Sequence, residues 1–178
     1  MGLVGRDSLT VDRGEIPVVS EVLKVPVRPD WSEIDHVREA TGEFLRARGF
    51  HAETVDAVAM VLSELLENAN KYGVFVDDEM ITVRLSVYAS SIIVEVQNPV
   101  AEEAAPKLAV LDRTVQWIRS FQDPFQAYVE RVRVVSGQDL YSKESGLGLV
   151  RIAYEGRSLI DFYVDRDQTL TVSAVHLL

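Results

Sequence analysis

The sequence predicts an α+β domain, a two-layer α/β sandwich in which a mostly antiparallel sheet carries its helices on one face. Three observations lead there. Ile81–Tyr88 and Ile92–Gln97 alternate apolar and polar residues and are separated by only Ala89-Ser90-Ser91, the pattern of a hairpin. Leu159–Val164 and Thr169–Val175 form a second alternating pair at the end of the chain. The segments between them space their apolar residues as helices do. The resulting order is one strand, two helices, two strands, a pair of helices, one more helix and two strands.

Each element has a local reason. Residues 1–19 are polar, contain Gly2, Gly5, Gly14 and Pro17, and read as a flexible N-terminal tail; residues 20–178 read as the folded domain. Ser20–Val27 alternates through Val22, Val25 and Val27, and Pro26, which has no N–H for a ladder, assigns it to a sheet edge. Asp30 can cap a helix, with Glu33 three residues on in capping-box spacing, and Gly49 stops that helix after Arg48. A second helix spans Ala52–Tyr72 and ends at Gly73. Residues 98–145 form a lid-like insertion. Within it Leu108, Leu111, Val115 and Ile118 follow helical spacing, as do Phe125, Tyr128 or Val129, and Val132, with a break at Asp123-Pro124. A further helix follows Gly148 and ends near Gly156. Thr82, Arg84 and Ser86 suit a wet sheet face.

Composition narrows the chemistry. The 178 residues suit one domain, and 47% hydrophobic content is enough for a core. No apolar run approaches the ~20 residues of a membrane span, and the N-terminus lacks the pattern of a signal peptide. With no cysteine, disulfides, thiolate metal sites and a cysteine nucleophile are excluded, and a cytoplasmic address is expected. A net charge of −10 argues against a nucleic-acid partner, which requires a basic face. A nucleotide site in so acidic a protein has to concentrate positive potential locally.

The most informative stretch is Ser63-Glu64-Leu65-Leu66-Glu67-Asn68-Ala69-Asn70-Lys71-Tyr72. At about 100° per residue, Asn68 lies roughly 40° from Glu64, and Lys71 roughly 20° to the other side. The three polar groups form one stripe, with Leu62, Leu65, Leu66 and Ala69 nearly opposite. Ala57, Met60 and Val61 continue the stripe towards the N-terminus, so the helix is apolar almost all round and should be largely buried. A carboxylate and an amide on such a helix line a cleft or are paired. An amide oxygen is a hard neutral ligand suited to Mg²⁺. A carboxylate one turn away can take a proton from a hydroxyl, and a lysine can neutralise phosphate. The same spacing also fits an amphipathic helix whose Glu64 and Lys71 are merely solvated.

The second signal is Ser145-Gly146-Leu147-Gly148-Leu149-Val150. Two glycines at a helix start let backbone N–H groups approach an anion, in the favourable field of the helix N-terminus. A flexible loop before an ordinary helix reads the same way. No strand leads into it and no third glycine follows, so it is not a dinucleotide fingerprint.

Together the two stretches resemble the N box and the second glycine box of the GHKL (Bergerat-fold) ATPases and kinases, and Ser20–Leu178 looks most like the serine kinases that act as anti-sigma factors in partner switching. The resemblance implies a cofactor pair of ATP and Mg²⁺. Asn68 would hold the metal, Glu64 would act as general base, and Lys71 would approach the phosphates. Gly146, Leu147, Gly148 and Leu149 would form the phosphate loop beneath a lid at 98–145. The family carries Asp-x-Gly-x-Gly after its third strand, where this chain has Gln97-Asn98-Pro99-Val100; Asn98 falls at the aspartate and can accept from an adenine amino group without charge. The implied activity is phosphorylation of serine or threonine on a small antagonist partner; the implied protein partner is that anti-sigma-factor-antagonist-like substrate or a sigma-factor-like target. The alternative is a non-catalytic or weakly nucleotide-binding module that sequesters a protein partner. Related kinases pair through the first strand and helix, so a homodimer is expected.

Other polar groups carry less. His36, His51 and His176 sit in no phosphoacceptor helix and read as surface or packing residues. Arg131, Arg133 and Lys143 lie in or beside the lid, in reach of a γ-phosphate or on a solvated basic face. Trp31 and Trp117 read as core or partner-facing anchors.

Overall fold

The computed structural model describes residues 21–137 and 146–178. The N-terminal tail at 1–19, Ser20, and Lys143 and Ser145 of the lid and glycine turn lie outside these described residues.

The elements are β1 (Glu21–Val27), α1 (Trp31–Arg46), α2 (Ala52–Tyr72), β2 (Ile81–Val87), β3 (Ser91–Pro99), α3 (Ala105–Arg119), α4 (Pro124–Ser136), α5 (Leu147–Tyr154), β4 (Ser158–Val164) and β5 (Thr169–Leu177), with one 3₁₀ turn at Glu102–Ala104. The five strands form one antiparallel sheet in the order β1-β2-β3-β5-β4. Pro26 stands on the edge strand, opposite Thr82. Among the described residues no helix is long and apolar enough to cross a membrane.

Local chemistry sets the boundaries. Asp30 caps α1, its carboxylate accepting from the Ser32 N–H at 2.9 Å. The chain leaves α1 through Gly49, whose φ of +79° is costly for any residue with a Cβ. Asp123 caps α4 in the same way, accepting from the Phe125 N–H at 2.9 Å, with Pro124 in the first turn where its missing N–H costs nothing. Tyr88 donates to the Ser91 carbonyl at 2.8 Å, so the hairpin turns on Ala89-Ser90 and Ser91 already belongs to β3.

One boundary differs from the sequence reading in a way that matters. The strand expected to end at Gln97 continues through Asn98 and Pro99, paired with Leu170 and Thr169 of β5. Alternation then puts Asn98 on the same face as Ile92, Val94 and Val96, all buried under the helices. The inward face of the sheet also carries Ile81, Val83, Leu85, Leu170, Val172 and Ala174, packed against Val58, Val61, Leu62, Leu65 and Leu66 of α2 and Val150 and Ile152 of α5. Each valine, leucine or isoleucine among them contributes about 1.5–3 kcal/mol on burial.

The insertion lies over one end of this layer. Arg119 of α3 donates to the Ile160 carbonyl of β4 at 2.5 Å and pairs with Asp161 at 3.5 Å. Phe125 and Tyr128 of α4 stack on Tyr154 of α5, with ring centroids 5.0 and 5.2 Å apart. Trp117 meets Phe121 edge-on at 5.0 Å, whereas Trp31 is 58% exposed and no part of the core. His176 is a packing residue: buried on β5, its Nδ1 lies 2.7 Å from the Gly156 carbonyl, which also accepts from the Ser158 hydroxyl at 2.8 Å.

Candidate functional site

The site is built where α2 passes the start of α5. Glu64 and Asn68 are one turn apart on α2, and Gly148 is the point both approach. A methyl group on Gly148 would lie 2.6 Å from Glu64 Oε2 and 3.9 Å from Asn68 Nδ2. With the carboxylate where it stands there is no room for a Cβ at position 148. Gly146, at the N-cap of α5, has φ of +60°, and the Arg131 guanidinium lies close against it. The two glycines thus do different work: one gives a backbone turn, the other a close approach.

Beside this junction is a cavity of about 280 Å³. Its walls are largely apolar, with Leu65, Ala69, Val96, Leu108, Leu111 and Val172 among them. The polar groups are few: Asn68, Tyr72, Asn98, Thr114, the backbone at Gly146 and Gly148, and the cations Lys107 and Arg131. Asn98 is 3% exposed. Its Nδ2 donates to the Pro99 carbonyl at 3.0 Å, which engages one of the two amide N–H groups and orients the amide, leaving the carbonyl oxygen to accept from a ligand. An apolar slot with a few convergent polar groups is the usual form of a small-molecule site.

The stripe emerges from the interior along its length. Glu64 is buried, Asn68 is half-buried, and Lys71, in the last turn of α2, is exposed with its ammonium 4.9 Å from the Tyr72 ring. Lys71 is not in the cavity wall; Arg131 and Lys107 from the insertion supply the positive charge there. Leu147 likewise packs on the core, while Gly146, Gly148 and Leu149 line the cavity. Arg133 is exposed and pairs with Glu130 at 3.2 Å, one turn away on α4.

Glu64 has a partner that the sequence reading missed. Arg151 of α5 donates to Glu64 Oε1, and its other nitrogens bind both oxygens of Glu155 at 3.2 Å. The signal was present: Arg151 follows Gly148 by three residues, which brings it to the same side of α5. The Glu64 carboxyl is held above the ordinary glutamate range. Burial is the largest cause, the Arg151 charge opposes it, and Glu67 and Glu155 add to the rise. Arg151 is held above its own usual range, chiefly by the hydrogen bonds to Glu155. Glu64 therefore gains a proton more readily than a solvated glutamate, as a group taking a proton from a hydroxyl should.

The donor set for a metal is small. Among the described residues no group of three or more histidine or acidic side chains gathers to hold an ion. Asn68 and Glu64 flanking Gly148 fit Mg²⁺ only in the mode in which substrate phosphates and water supply most of the ligands.

No protein-family model and no curated protein matches this sequence. Among solved structures, the chain is similar to one in the crystal structure of the SiaB-SiaC complex from Pseudomonas aeruginosa, with 20% identity and a TM-score of 0.66. The match covers 86% of this chain and 88% of that one. This likeness, over most of the chain, shows the fold.

Proposed function

We propose that the chain is a GHKL-type protein kinase, dependent on ATP and Mg²⁺, that phosphorylates serine or threonine on a partner protein of a partner-switching system. The observation that carries this reading is the meeting of Glu64, Asn68 and Gly148 beside an apolar cavity whose wall includes two cations, Lys107 and Arg131. The slot suits a purine, with the Asn98 carbonyl oxygen accepting from its amino group. Lys107, Arg131 and the N-terminus of α5 would meet the phosphates. Asn68 would hold Mg²⁺, whose contribution is to neutralise phosphate charge.

Glu64 is the base of this scheme. The acceptor hydroxyl gives its proton to the Glu64 carboxylate as its oxygen bonds to the terminal phosphorus. The phosphorus–oxygen bond to the leaving diphosphate breaks, and the electron pair stays with the diphosphate. Positioning and charge supply most of the acceleration in such a transfer. That the solved neighbour comes from a two-protein complex agrees with a protein substrate.

Mg-ATP tests the reading first. At about 100 times its Kd it should add ~2.7 kcal/mol of stability, a shift of roughly 5–10 °C for a chain of this size. Glu64→Gln should keep that shift and lose phosphotransfer to a co-purified partner by at least about 10²-fold. Wild-type transfer by Glu64→Gln removes the base assignment, and the absence of any shift at millimolar nucleotide removes the kinase reading.

A second reading has its own support. Arg151 already occupies the Glu64 carboxylate, and Asn98 brings no charge to the base site. Both fit a non-catalytic or weakly nucleotide-binding module that sequesters its partner, for which no shift at millimolar nucleotide and no phosphotransfer is the expected result.

A further inference from the structure

Glu64 faces two spaces. The apolar cavity lies beyond Gly148 and Asn68, and Glu64 itself is not in its wall. On its other side the carboxylate opens, with Ser63, Glu67 and Arg151, into a separate groove of about 640 Å³ between α1 and α2. The partition is thin, since a single methyl on Gly148 would touch the carboxylate. A cavity of about 280 Å³ is at the lower limit for a small-molecule ligand and leaves no room for a second, protein reactant. A hydroxyl that is to meet both Glu64 and a phosphate therefore has to come from the groove.

The groove has a charge pattern of its own. Its walls carry Asp35, Glu39, Asp56, Glu64 and Glu67 against Arg38, Arg46 and Arg151. Arg38 is paired with Asp35 at 3.2 Å, and Arg151 with Glu64 and Glu155. Glu39, Asp56 and Glu67 form no ion pair among the described residues, nor does Arg46; all four are exposed on the groove wall, so three unpaired carboxylates stand against one unpaired cation on the approach to Glu64.

Resting on the kinase reading above, we propose that the α1–α2 groove is the acceptor site. It receives an extended partner segment that presents a serine or threonine hydroxyl to Glu64 and basic side chains to Glu39, Asp56 and Glu67. Three exposed carboxylates each add modestly, so affinity falls as salt rises.

The test uses two fluorescein-labelled peptides, each with a central serine. One is flanked by arginines and the other by glutamates. Anisotropy titrations of the full chain, with Mg²⁺ and a non-hydrolysable ATP analogue, measure binding without requiring turnover. The arginine peptide should bind, weaken with added salt, and lose at least about tenfold in affinity in E39K/D56K/E67K. Urea unfolding and the nucleotide shift of that variant report its folding and its cavity. Equal binding of both peptides, binding of neither, or an unchanged affinity in the folded variant overturns the proposal. A nucleotide shift without peptide binding removes the groove and leaves the kinase reading; peptide binding without a nucleotide shift does the reverse.

Discussion

Replacing Arg151 with methionine separates the charge of the guanidinium from most of its bulk. Two unit charges about 4 Å apart attract by ~4 kcal/mol at an effective dielectric of about 20. The Glu64 side chain is 12% exposed but that of Arg151 is 38% exposed, so water screens the pair from one side. Removing the arginine also relieves its own partial desolvation. Between the exposed limit of about 0–1 kcal/mol and the buried limit of about 3–5, a net coupling of ~1–2 kcal/mol is expected. The assay is a double-mutant cycle of Glu64→Gln and Arg151→Met by urea unfolding, which subtracts the Glu155 contacts that Arg151 also loses.

The pH dependence supplies the sign. Burial already raises the Glu64 carboxyl in the fold, and the opposing Arg151 charge limits that rise. Without Arg151 it rises further. A group raised in this way leaves stability intact at low pH and costs stability as pH climbs through its folded value. The wild type and Arg151→Met should therefore differ in their Glu64-dependent stability only above the wild-type folded value, and by the full amount above that of the variant. In strongly acidic buffer, where Glu64 is protonated in both, the coupling should vanish. A coupling below about 0.3 kcal/mol at neutral pH, or one that is the same in acidic buffer, refutes the pair as an energetic unit.

Three further substitutions, with a fourth as control, probe the packing around the site. Gly148→Ala should leave urea stability within about 1 kcal/mol of wild type, because the atom displaced is a carboxylate end and alanine is the better helix former, yet on the proposed kinase reading it should lower phosphotransfer at least about tenfold by moving Glu64. Gly156→Ala should cost about 1–3 kcal/mol, since its methyl would meet the Ile152 carbonyl at 2.5 Å and Val61 at 2.4 Å and the backbone cannot swing aside; Gly137→Ala, whose nearest neighbour would be 3.6 Å away, is the control and should stay within about 0.5. Thr171→Val should leave stability unchanged or raise it by about 1 kcal/mol, because the Thr171 hydroxyl is buried on β5 with no hydrogen-bond partner among the described residues.

Much of this molecule was readable in one dimension because much of it is periodic. Alternation at period two found the strands, and the 3.6-residue repeat put Glu64 and Asn68 on one side of α2. Asp30, Gly49, Asp123-Pro124 and Gly73 marked their boundaries through chemistry confined to a few residues. Lys71 shows where periodicity misleads. It shares the angular position of the stripe, but angle says nothing about how far along the axis the helix leaves the interior.

What only the tertiary structure decided is the set of meetings between distant segments. That Gly148 touches Glu64, that Arg151 takes its carboxylate from 87 residues away, and that Arg131 and Lys107 charge the cavity depend on how α5 and the insertion pack over α2. Asn98 turns inward only because pairing with β5 carries β3 beyond Gln97. Local sequence sets φ, ψ and the angular position of a side chain; the distance between two helices follows from close packing of side chains drawn from the whole chain, and no short window contains it.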